Sequence, residues 1–210
     1  MLTDELIRRP KMYIIPPKNH KGLEDQAWIQ DFLEPEDIER LNKMCARTAN
    51  NATVTTEADT AQINSEVRST SIKWVERTKD NADLWEKITN AIVGMNDKFF
   101  KFDITGIYES MQLGTYSEEI KGFYDFHMDA SLKNSNSPAP RKLSMAMLLN
   151  DPSEFEGGDL VVMNNHKEFV LEQQKGRAWF MPSWTLHKVT PVTKGVRKSL
   201  VVWAGGPPFK

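Results

Sequence analysis

Residues 177–203 read RAWFMPSWTLHKVTPVTKGVRKSLVVW, three short apolar segments separated by turn-forming residues. Segments of the same kind come before it: SMQLGTY (110–116), FYDFHMD (123–129), KLSMAMLL (142–149), GDLVVM (158–163) and KEFVL (167–171). Turn signals such as NSNSPAP (134–140) and the pair Gly157-Gly158 lie between them. Many short strands at close spacing indicate an antiparallel sandwich or barrel and not a parallel α/β sheet. The second half of the chain is therefore predicted to be a β core.

The first half is predicted to supply helices and supporting strands. Ile38, Leu41 and Cys45 follow Pro35 at helical spacing and indicate a helix across about 35–48. Asp80 can cap a second helix. Its apolar stripe is interpreted as core packing and consists of Leu84, Trp85, Ile88, Ile92, Met95 and Phe99.

The remaining stretches of the first half are more polar. RSTSIKWV (68–75) alternates well enough to predict a strand. Residues 1–23 indicate an arm laid over the surface, and residues 49–66 indicate a long loop or mobile hairpin. We find no internal repeat and no domain boundary.

Composition excludes several classes of protein. The chain has 210 residues, with 27% charged residues, ten Phe, six Trp and four Tyr, which exclude a disordered or low-complexity chain. A net charge of −2 argues against a nucleic-acid partner. The single Cys45 excludes an internal disulfide and a cysteine zinc site and favours a reducing, cytoplasmic location. No apolar run is long enough for a signal-peptide core or a membrane span, so we expect no membrane association.

Two of the four histidines fall in predicted strands beside chemistry-bearing residues. His127-Met128-Asp129 lies in one predicted strand, where alternate residues project to the same face. An imidazole and a carboxylate so placed can share one metal ion, and His187, on another predicted strand, is the best third ligand. Two His and one carboxylate on one face form the facial triad of non-haem Fe(II) oxygenases. His20 and His166 belong to no such group.

Arg197 follows ten positions after His187, and strand alternation places it on one face with Ser199, Val201 and Trp203. A guanidinium on an otherwise apolar inward face needs an anionic partner, because burying an unpaired charge is costly. A small dicarboxylate meets that need, since the planar fork of Arg accepts a carboxylate bidentately. The alternative is that Arg197 points outward and pairs with a surface acid.

These residues resemble the Fe(II)/2-oxoglutarate-dependent dioxygenases, in particular the prolyl 4-hydroxylase-like branch. The resemblance runs from about Gln112 to the C-terminus, and the entry segment WIQDFL (28–33) is also similar to the family. The matching pieces are YDFHMD (124–129), RKLSMAMLLND (141–151), EGGDL (156–160) and FMPSWTLHKVTPVTKGVRKSLVVW (180–203).

The resemblance implies a mainly β fold with flanking helices, a double-stranded β-helix or jelly roll with the N-terminal helices packed on one sheet. It implies a single domain over residues 1–210, with the arm, helices and supporting strands in 1–105 and the jelly-roll core in 106–210. It implies His127, Asp129 and His187 as ligands of Fe(II), with 2-oxoglutarate and O₂ as co-substrates and ascorbate as a candidate reductant.

The resemblance also assigns the remaining site residues. Arg197 would pair with the distal carboxylate of 2-oxoglutarate, with Tyr116 as a candidate hydrogen-bond donor. Some relatives carry a Tyr for that carboxylate on the strand after the HxD loop, and alignment places Met147 at that position here. Ser199 would then help Arg197. The candidates for substrate contact are Tyr124, Arg141 and Trp203, and no catalytic residue is expected beyond the metal ligands.

The activity that the resemblance implies is hydroxylation of a proline residue in a peptide or protein, coupled to conversion of 2-oxoglutarate to succinate and CO₂. The segments 49–66 and 131–141 are candidate covers for the substrate. A hydroxylase of a free amino acid or other small molecule, and a non-catalytic jelly-roll binding module, are the alternatives. A nucleic-acid demethylase of the same fold would carry a second Arg where this chain has Trp203. The sequence does not determine the oligomeric state.

Overall fold

The computed structural model describes residues 24–45, 50–51, 54–55, 61–62, 66–130 and 139–208. The predicted arm 1–23, His20, most of the loop 49–66 and most of the loop 131–141 lie outside these residues. The α-helices of the described residues are α1 (Pro35–Cys45) and α2 (Ala82–Met95), and a π-helical turn, Asn96–Phe100, continues α2. The strands are β1 (Ala27–Ile29), β2 (Asn50–Asn51), β3 (Val54–Thr55), β4 (Ala61–Gln62), β5 (Arg68–Ser69), β6 (Ser71–Val75), β7 (Met111–Ser117), β8 (Phe123–His127), β9 (Arg141–Leu148), β10 (Phe155–Gly157), β11 (Leu160–Asn164), β12 (Lys167–Val170), β13 (Ala178–Pro182), β14 (His187–Val189) and β15 (Val192–Gly205).

Two antiparallel sheets form the body of the described structure. The larger sheet has the order β1-β13-β9-β15-β7-β6-β2, with β10 also paired to β15, and the smaller sheet has the order β12-β11-β14-β8-β5. A two-stranded pair, β3-β4, stands apart from both sheets. Most neighbouring strands of the two sheets are not consecutive in the chain, as in a jelly roll, so the predicted mainly β fold with flanking helices is confirmed.

Both helices pack on the larger sheet and bury one apolar side each. Ile38, Leu41 and Cys45 of α1 and the stripe of α2 join one core cluster with the residues of β7, β9, β13 and β15 that face the helices. The predicted helix 35–48 is described as helix to Cys45. This cluster holds the helices against the sheet and is separate from the space between the sheets.

The start of α2 differs from the prediction. Asp80 lies inside a short 3₁₀ turn, Lys79–Asn81, and Asn81 takes the capping position. The Asn81 side chain accepts a hydrogen bond from the Thr78 backbone N–H at 2.8 Å and donates to the Glu76 carbonyl at 2.9 Å. An amide satisfies both a donor and an acceptor here, which the Asp80 carboxylate cannot do.

The predicted strand 68–75 divides between the two sheets. β5 pairs with β8 of the smaller sheet, while β6 pairs with β7 of the larger sheet. Thr70 lies between the two strands, and its hydroxyl donates to the Phe123 carbonyl. This crossing brings Arg68 to the edge of the space between the sheets, beside Tyr124.

A second cluster fills part of the space between the sheets. It joins residues of both sheets, which in chain order are Tyr116, Leu148, Phe155, Leu160, Val162, Leu171, Met181, Val189 and Val192. The rest of that space is a cavity. In the described part of the chain, no helix is long and apolar enough to cross a membrane.

Candidate active site

His127, Asp129 and His187 converge on one point between the sheets. Their ligand atoms all lie within 4.8 Å of one another. The Asp129 carboxylate stands between the two imidazoles, with Oδ1 3.9 Å from His127 Nε2 and Oδ2 3.7 Å from His187 Nε2. Two neutral nitrogens and one carboxylate at this separation can bind a single divalent ion and leave its other positions open.

Neighbouring backbone fixes which ring nitrogen of each imidazole faces the centre. His127 Nδ1 lies 2.7 Å from the Asp125 carbonyl, and His187 Nδ1 lies 2.8 Å from the Thr185 carbonyl. A carbonyl only accepts, so each Nδ1 carries the proton and donates it. Both Nε2 atoms are then free to bind a metal, which is the usual arrangement of metal-ligating histidines.

Burial and neighbouring charge set the protonation of His127 and Asp129. Burial, and then the charge of His187, lower the pKa of His127 to about 4. For Asp129, burial opposes ionisation, but His187, His127 and Arg141 outweigh it and hold the pKa below its ordinary value. At neutral pH the site therefore presents a neutral His127 and a carboxylate, as metal binding requires.

The three ligands arise from two neighbouring strand ends. β8 and β14 are paired antiparallel with His127 opposite His187, and the register shifts between His187 and Val189. The prediction that Asp129 lies inside the strand was wrong, because β8 ends at His127. Beyond that point the chain turns away, and the Ala130 N–H donates to the Ser183 carbonyl at 2.7 Å. The bend, not strand alternation, aims Asp129 at the imidazoles.

The triad opens into a cavity of about 630 Å³ between the sheets. This volume suits a small-molecule ligand. The predicted site residues that line it, besides the triad, are Tyr116, Tyr124, Arg141, Arg197, Ser199 and Trp203. The structure thus brings every site residue predicted from the sequence to one cavity.

Arg197 lies deep in this cavity. The side chain is 4% exposed, Nε donates to Gln173 Oε1 at 3.1 Å, and Nη1 has no hydrogen-bond partner among the described residues. Burial lowers the pKa of the guanidinium, against the influence of Tyr116 and Asp159. The alternative of an outward, surface-paired Arg197 was wrong. A buried cation with an unsatisfied donor needs an anionic ligand.

Tyr116 and Ser199 flank Arg197 on the larger sheet. Arg197 pairs with Tyr116 across β15 and β7, and the guanidinium lies 5.2 Å from the centre of the Tyr116 ring. Ser199 pairs with Gly114, where an added Cβ would lie 3.1 Å from Ser199 Oγ and 3.2 Å from Tyr116 Cε2. The glycine therefore leaves room for the hydroxyl and the ring to face the cavity together.

The alignment of Met147 with the co-substrate position was wrong. Met147 belongs to the core cluster beneath the helices, whereas Ala146 lines the cavity. Successive residues of a strand point to opposite faces, so an alignment shifted by one residue places a side chain on the wrong side of the sheet. Met147 therefore has no contact with the cavity.

Tyr124 and Arg68 form a stack on one wall of the cavity. The Tyr124 ring lies on the His127 ring, with centroids 3.5 Å apart and an angle of 14°. The Arg68 guanidinium covers the other face of Tyr124 at 4.3 Å, and Nη2 donates to Gln112 Oε1 at 2.5 Å. Arg68 Nε is buried without a hydrogen-bond partner in the described residues. This stack fixes the orientation of His127.

Arg141 closes another wall. It forms a two-point ion pair with Glu109, including Nε to Oε1 at 2.7 Å, and Nη1 donates to the Asp129 carbonyl at 3.3 Å. Its guanidinium stacks on the Trp203 ring at 3.8 Å. Arg141 therefore links a metal ligand to the aromatic rim of the cavity and is itself already paired.

Sequence reasoning missed the cavity residues Arg68, Gln112 and Glu109 and also Gln173, which contacts Arg197 from outside the cavity. Arg68 belongs to a polar stretch that contains no known motif. Gln173 lies at the end of a charged hairpin whose sequence predicts an exposed surface. The one sequence signal for any of these residues was the alternation of side chains in RSTSIKWV (68–75), which places Arg68 on a defined face of a strand. Their positions depend on pairings between distant strands, which a single sequence does not reveal.

The donor set of this cavity fits a ferrous ion with a dicarboxylate co-substrate. Two imidazoles, each with its Nδ1–H held by a backbone carbonyl, and one ionised carboxylate match the facial triad. Arg197 lines the same cavity, and its guanidinium, with Nη1 unpaired among the described residues, supplies a counter-charge for the far end of a bound acid.

Comparison with known proteins agrees with this chemistry. Residues 111–205 match the 2OG-Fe(II) oxygenase superfamily. A PKHD-type hydroxylase of Colwellia psychrerythraea is 30% identical over 146 residues, which is 69% of this chain and 64% of that protein. The chain thus spans just under two thirds of that relative. The PKHD-type hydroxylase YbiX of Escherichia coli is 28% identical over 180 residues, 83% of this chain and 76% of that protein.

Solved structures show the same fold at lower identity. A prolyl-4-hydroxylase of Pseudomonas putida superposes with a TM-score of 0.66 at 19% identity, covering 86% of this chain and 92% of its own. A prolyl hydroxylase of Trichoplax adhaerens, solved with a hypoxia inducible factor peptide fragment, gives 0.67 at 15% identity, covering 86% and 83%. The segment 111–205, which contains all three residues of the triad, therefore belongs to the 2OG-Fe(II) oxygenase superfamily.

Proposed function

We propose that this protein hydroxylates a proline residue in a peptide or protein, with Fe(II), 2-oxoglutarate and O₂. The observation that carries the proposal is that the metal triad and the buried Arg197, whose Nη1 has no hydrogen-bond partner among the described residues, line one cavity. When bound, the ferrous ion would supply activation of dioxygen and oxidation of a C–H bond, coupled to decarboxylation of 2-oxoglutarate to succinate and CO₂.

The residues of the chain bind and orient the metal, the co-substrate and the substrate, and they exclude water from the cavity. His127, Asp129 and His187 hold the metal, while Arg197, Tyr116 and Ser199 hold the co-substrate through its distal carboxylate. Tyr124, Arg141 and Trp203 form the substrate side of the cavity. The Arg141–Glu109 pair and the Arg68–Tyr124 stack fix the walls, so binding a substrate does not have to organise them.

An extended substrate is favoured by the shape of the surface beside the cavity. A groove of about 610 Å³ runs between α2 and residues 107–110, and it shares Glu76, Tyr108, Glu109 and Ser110 with the cavity wall. Trp74 and Tyr108 stand 46% and 43% exposed near this junction. A peptide whose proline enters the cavity has room for flanking residues there, whereas a free amino acid would leave the groove unused.

The proposal is tested by incubating the protein with Fe(II), 2-oxoglutarate and proline-containing peptides, followed by mass spectrometry. We expect a gain of one oxygen on a peptide and stoichiometric succinate. Both products should be lost in His127→Ala and in Arg197→Ala. His166→Ala, in the exposed turn at Asn165-His166, is the matched control and should keep activity.

The other outcomes separate the alternatives. Turnover of free amino acids alone would show a small-molecule hydroxylase and contradict the peptide proposal. Metal binding without succinate release under any substrate would show a non-catalytic module.

Two further features remain proposals. We propose one domain over residues 1–210, supported by β1 and β6 of the first half, which join the same sheet as β15. We also propose a cytoplasmic location, supported by the buried, unpaired thiol of Cys45.

A further inference from the structure

The loop between β12 and β13 reaches the Arg197 guanidinium from behind the cavity. Gln173, half-buried in this loop, accepts the Arg197 Nε–H at 3.1 Å. Gln173 and Arg197 line a small space together with Ala146 and Leu160. One edge of the guanidinium is therefore fixed by a neutral amide, and no described residue forms a hydrogen bond with Nη1.

The same amide separates Arg197 from a carboxylate. Gln173 Nε2 donates to Asp159 Oδ1 at 3.4 Å. Asp159 is held in turn by Thr190, whose hydroxyl accepts the Asp159 N–H at 2.8 Å and whose N–H donates to the Asp159 carbonyl at 3.0 Å. Arg197 forms no ion pair within the described residues, although Asp159 is close enough to act on its charge.

A neutral bridge has a different consequence from a direct ion pair. A carboxylate in contact with Arg197 would satisfy the charge that a bound acid needs, because charge-assisted hydrogen bonds are the strong ones. An amide holds the guanidinium by one edge and leaves its charge uncompensated. It also limits the rotation of a long side chain that would otherwise lose entropy on binding a ligand.

We propose that Gln173 is a positioning residue for the co-substrate: its amide orients Arg197 and keeps Asp159 out of contact, so that the guanidinium stays available for the distal carboxylate of 2-oxoglutarate. The inference rests on the proposed function, because it takes 2-oxoglutarate as the ligand of Arg197. Gln173 itself does not touch the co-substrate.

The test is anaerobic calorimetry of the Fe(II)-loaded protein with two ligands, 2-oxoglutarate and 2-oxopentanoate. The second ligand has the same carbon chain and lacks the distal carboxylate. In Gln173→Leu we expect the dissociation constant for 2-oxoglutarate to rise about tenfold, the effect of one hydrogen bond to a charged group. Binding of 2-oxopentanoate should not change. In turnover, KM for 2-oxoglutarate should rise by a similar factor with little change in kcat.

Two more variants separate positioning from packing. Gln174→Leu is the matched control, since Gln174 makes the same kind of bond, 2.6 Å from Oε1 to Nη2, with Arg177 outside the triad cavity. The Gln174→Leu variant should bind 2-oxoglutarate with the same affinity as the unmodified protein. Gln173→Glu keeps the shape and supplies an ion-pair partner for Arg197, so it should weaken 2-oxoglutarate binding at least as much as Gln173→Leu.

Three results would overturn the inference. Gln173→Leu could lose affinity equally for both ligands, or lose no more affinity for 2-oxoglutarate than Gln174→Leu does. Gln173→Glu could bind 2-oxoglutarate with undiminished affinity. A failure of the proposed function is recognised separately. In that case the unmodified protein itself would bind 2-oxoglutarate no better than 2-oxopentanoate, before any variant is compared.

Discussion

Gly158 makes room for the aliphatic part of Arg197. A Cβ at this position would lie 2.8 Å from Arg197 Cδ and 3.0 Å from Val192 Cγ2, and the φ of +64° disfavours any side chain. We expect Gly158→Ala to displace the guanidinium, to lower the free energy of unfolding by about 1–2 kcal/mol and to raise KM for 2-oxoglutarate. Urea unfolding and a 2-oxoglutarate titration measure the two effects.

Gly94→Ala is the control for that substitution. Gly94 is in α2, and apart from the helix's own backbone no atom of the described residues lies within 4 Å of a Cβ placed there. Alanine there should stabilise the protein by about 0.5–1 kcal/mol, because glycine is the poorer helix former. If both variants left KM unchanged, the contact at Gly158 would not position Arg197.

Glu109 acts on the site through Arg141. It holds Arg141 at two points, and Arg141 in turn contacts the Asp129 carbonyl and the Trp203 ring. Glu109→Gln weakens the charge-assisted pair and should cut kcat/KM for the primary substrate about tenfold, with a smaller effect on KM for 2-oxoglutarate. The matched control is Glu119→Gln on the exposed turn Glu118–Ile120, which lies outside the cavity. Equal kinetics of the two variants would contradict this role of Glu109.

At the scale of elements, what the sequence predicted depended on local pattern. The stripe of α2 and the inward face of β15 follow from spacing alone, and the structure places the residues of both as expected. Three features did not follow from spacing. β8 ends before Asp129, the buried Met147 faces the helices and not the cavity, and residues 68–75 divide between two sheets. Each depends on which distant strand pairs with which, and a shift of one residue reverses the face.

Cys45 ends α1 against the larger sheet, and burial raises the pKa of its thiol to about 11. In the unfolded chain the thiol loses its proton from about pH 9, whereas the folded protein keeps it. The unfolded state therefore binds fewer protons in this range, so stability should fall as pH rises from 9 to 11, by up to about 2 kcal/mol from this group.

The measurement is urea unfolding at pH 8 and pH 10.5 for the unmodified protein and for Cys45→Ala. The variant has no thiol to titrate, so its loss of stability over this interval should be smaller. Lys and Tyr titrate in both proteins and cancel in the comparison. Equal losses of stability in the two proteins would show that the pKa of the Cys45 thiol is not raised by folding.

At the scale of the whole molecule, stability and chemistry come from different places. The cluster beneath α1 and α2 packs the helices on the outer face of the larger sheet, and the second cluster joins the two sheets. The triad lies outside both clusters and contributes polar, costly groups to the interior. The fold can therefore carry a metal-binding cavity without needing the metal to hold it together.

Metal removal tests this separation. With Fe(II) and 2-oxoglutarate at about 100 times their dissociation constants, mass action adds about 2.7 kcal/mol for each independent ligand. We expect the unfolding temperature to rise by about 10–20 °C when both ligands are loaded under anaerobic conditions. A chelator should remove that increase and leave one cooperative transition at lower temperature, because both core clusters stay intact. Asp129→Ala should show the lower transition with or without the chelator, and a chelator that unfolded the unmodified protein would show that the metal is structural.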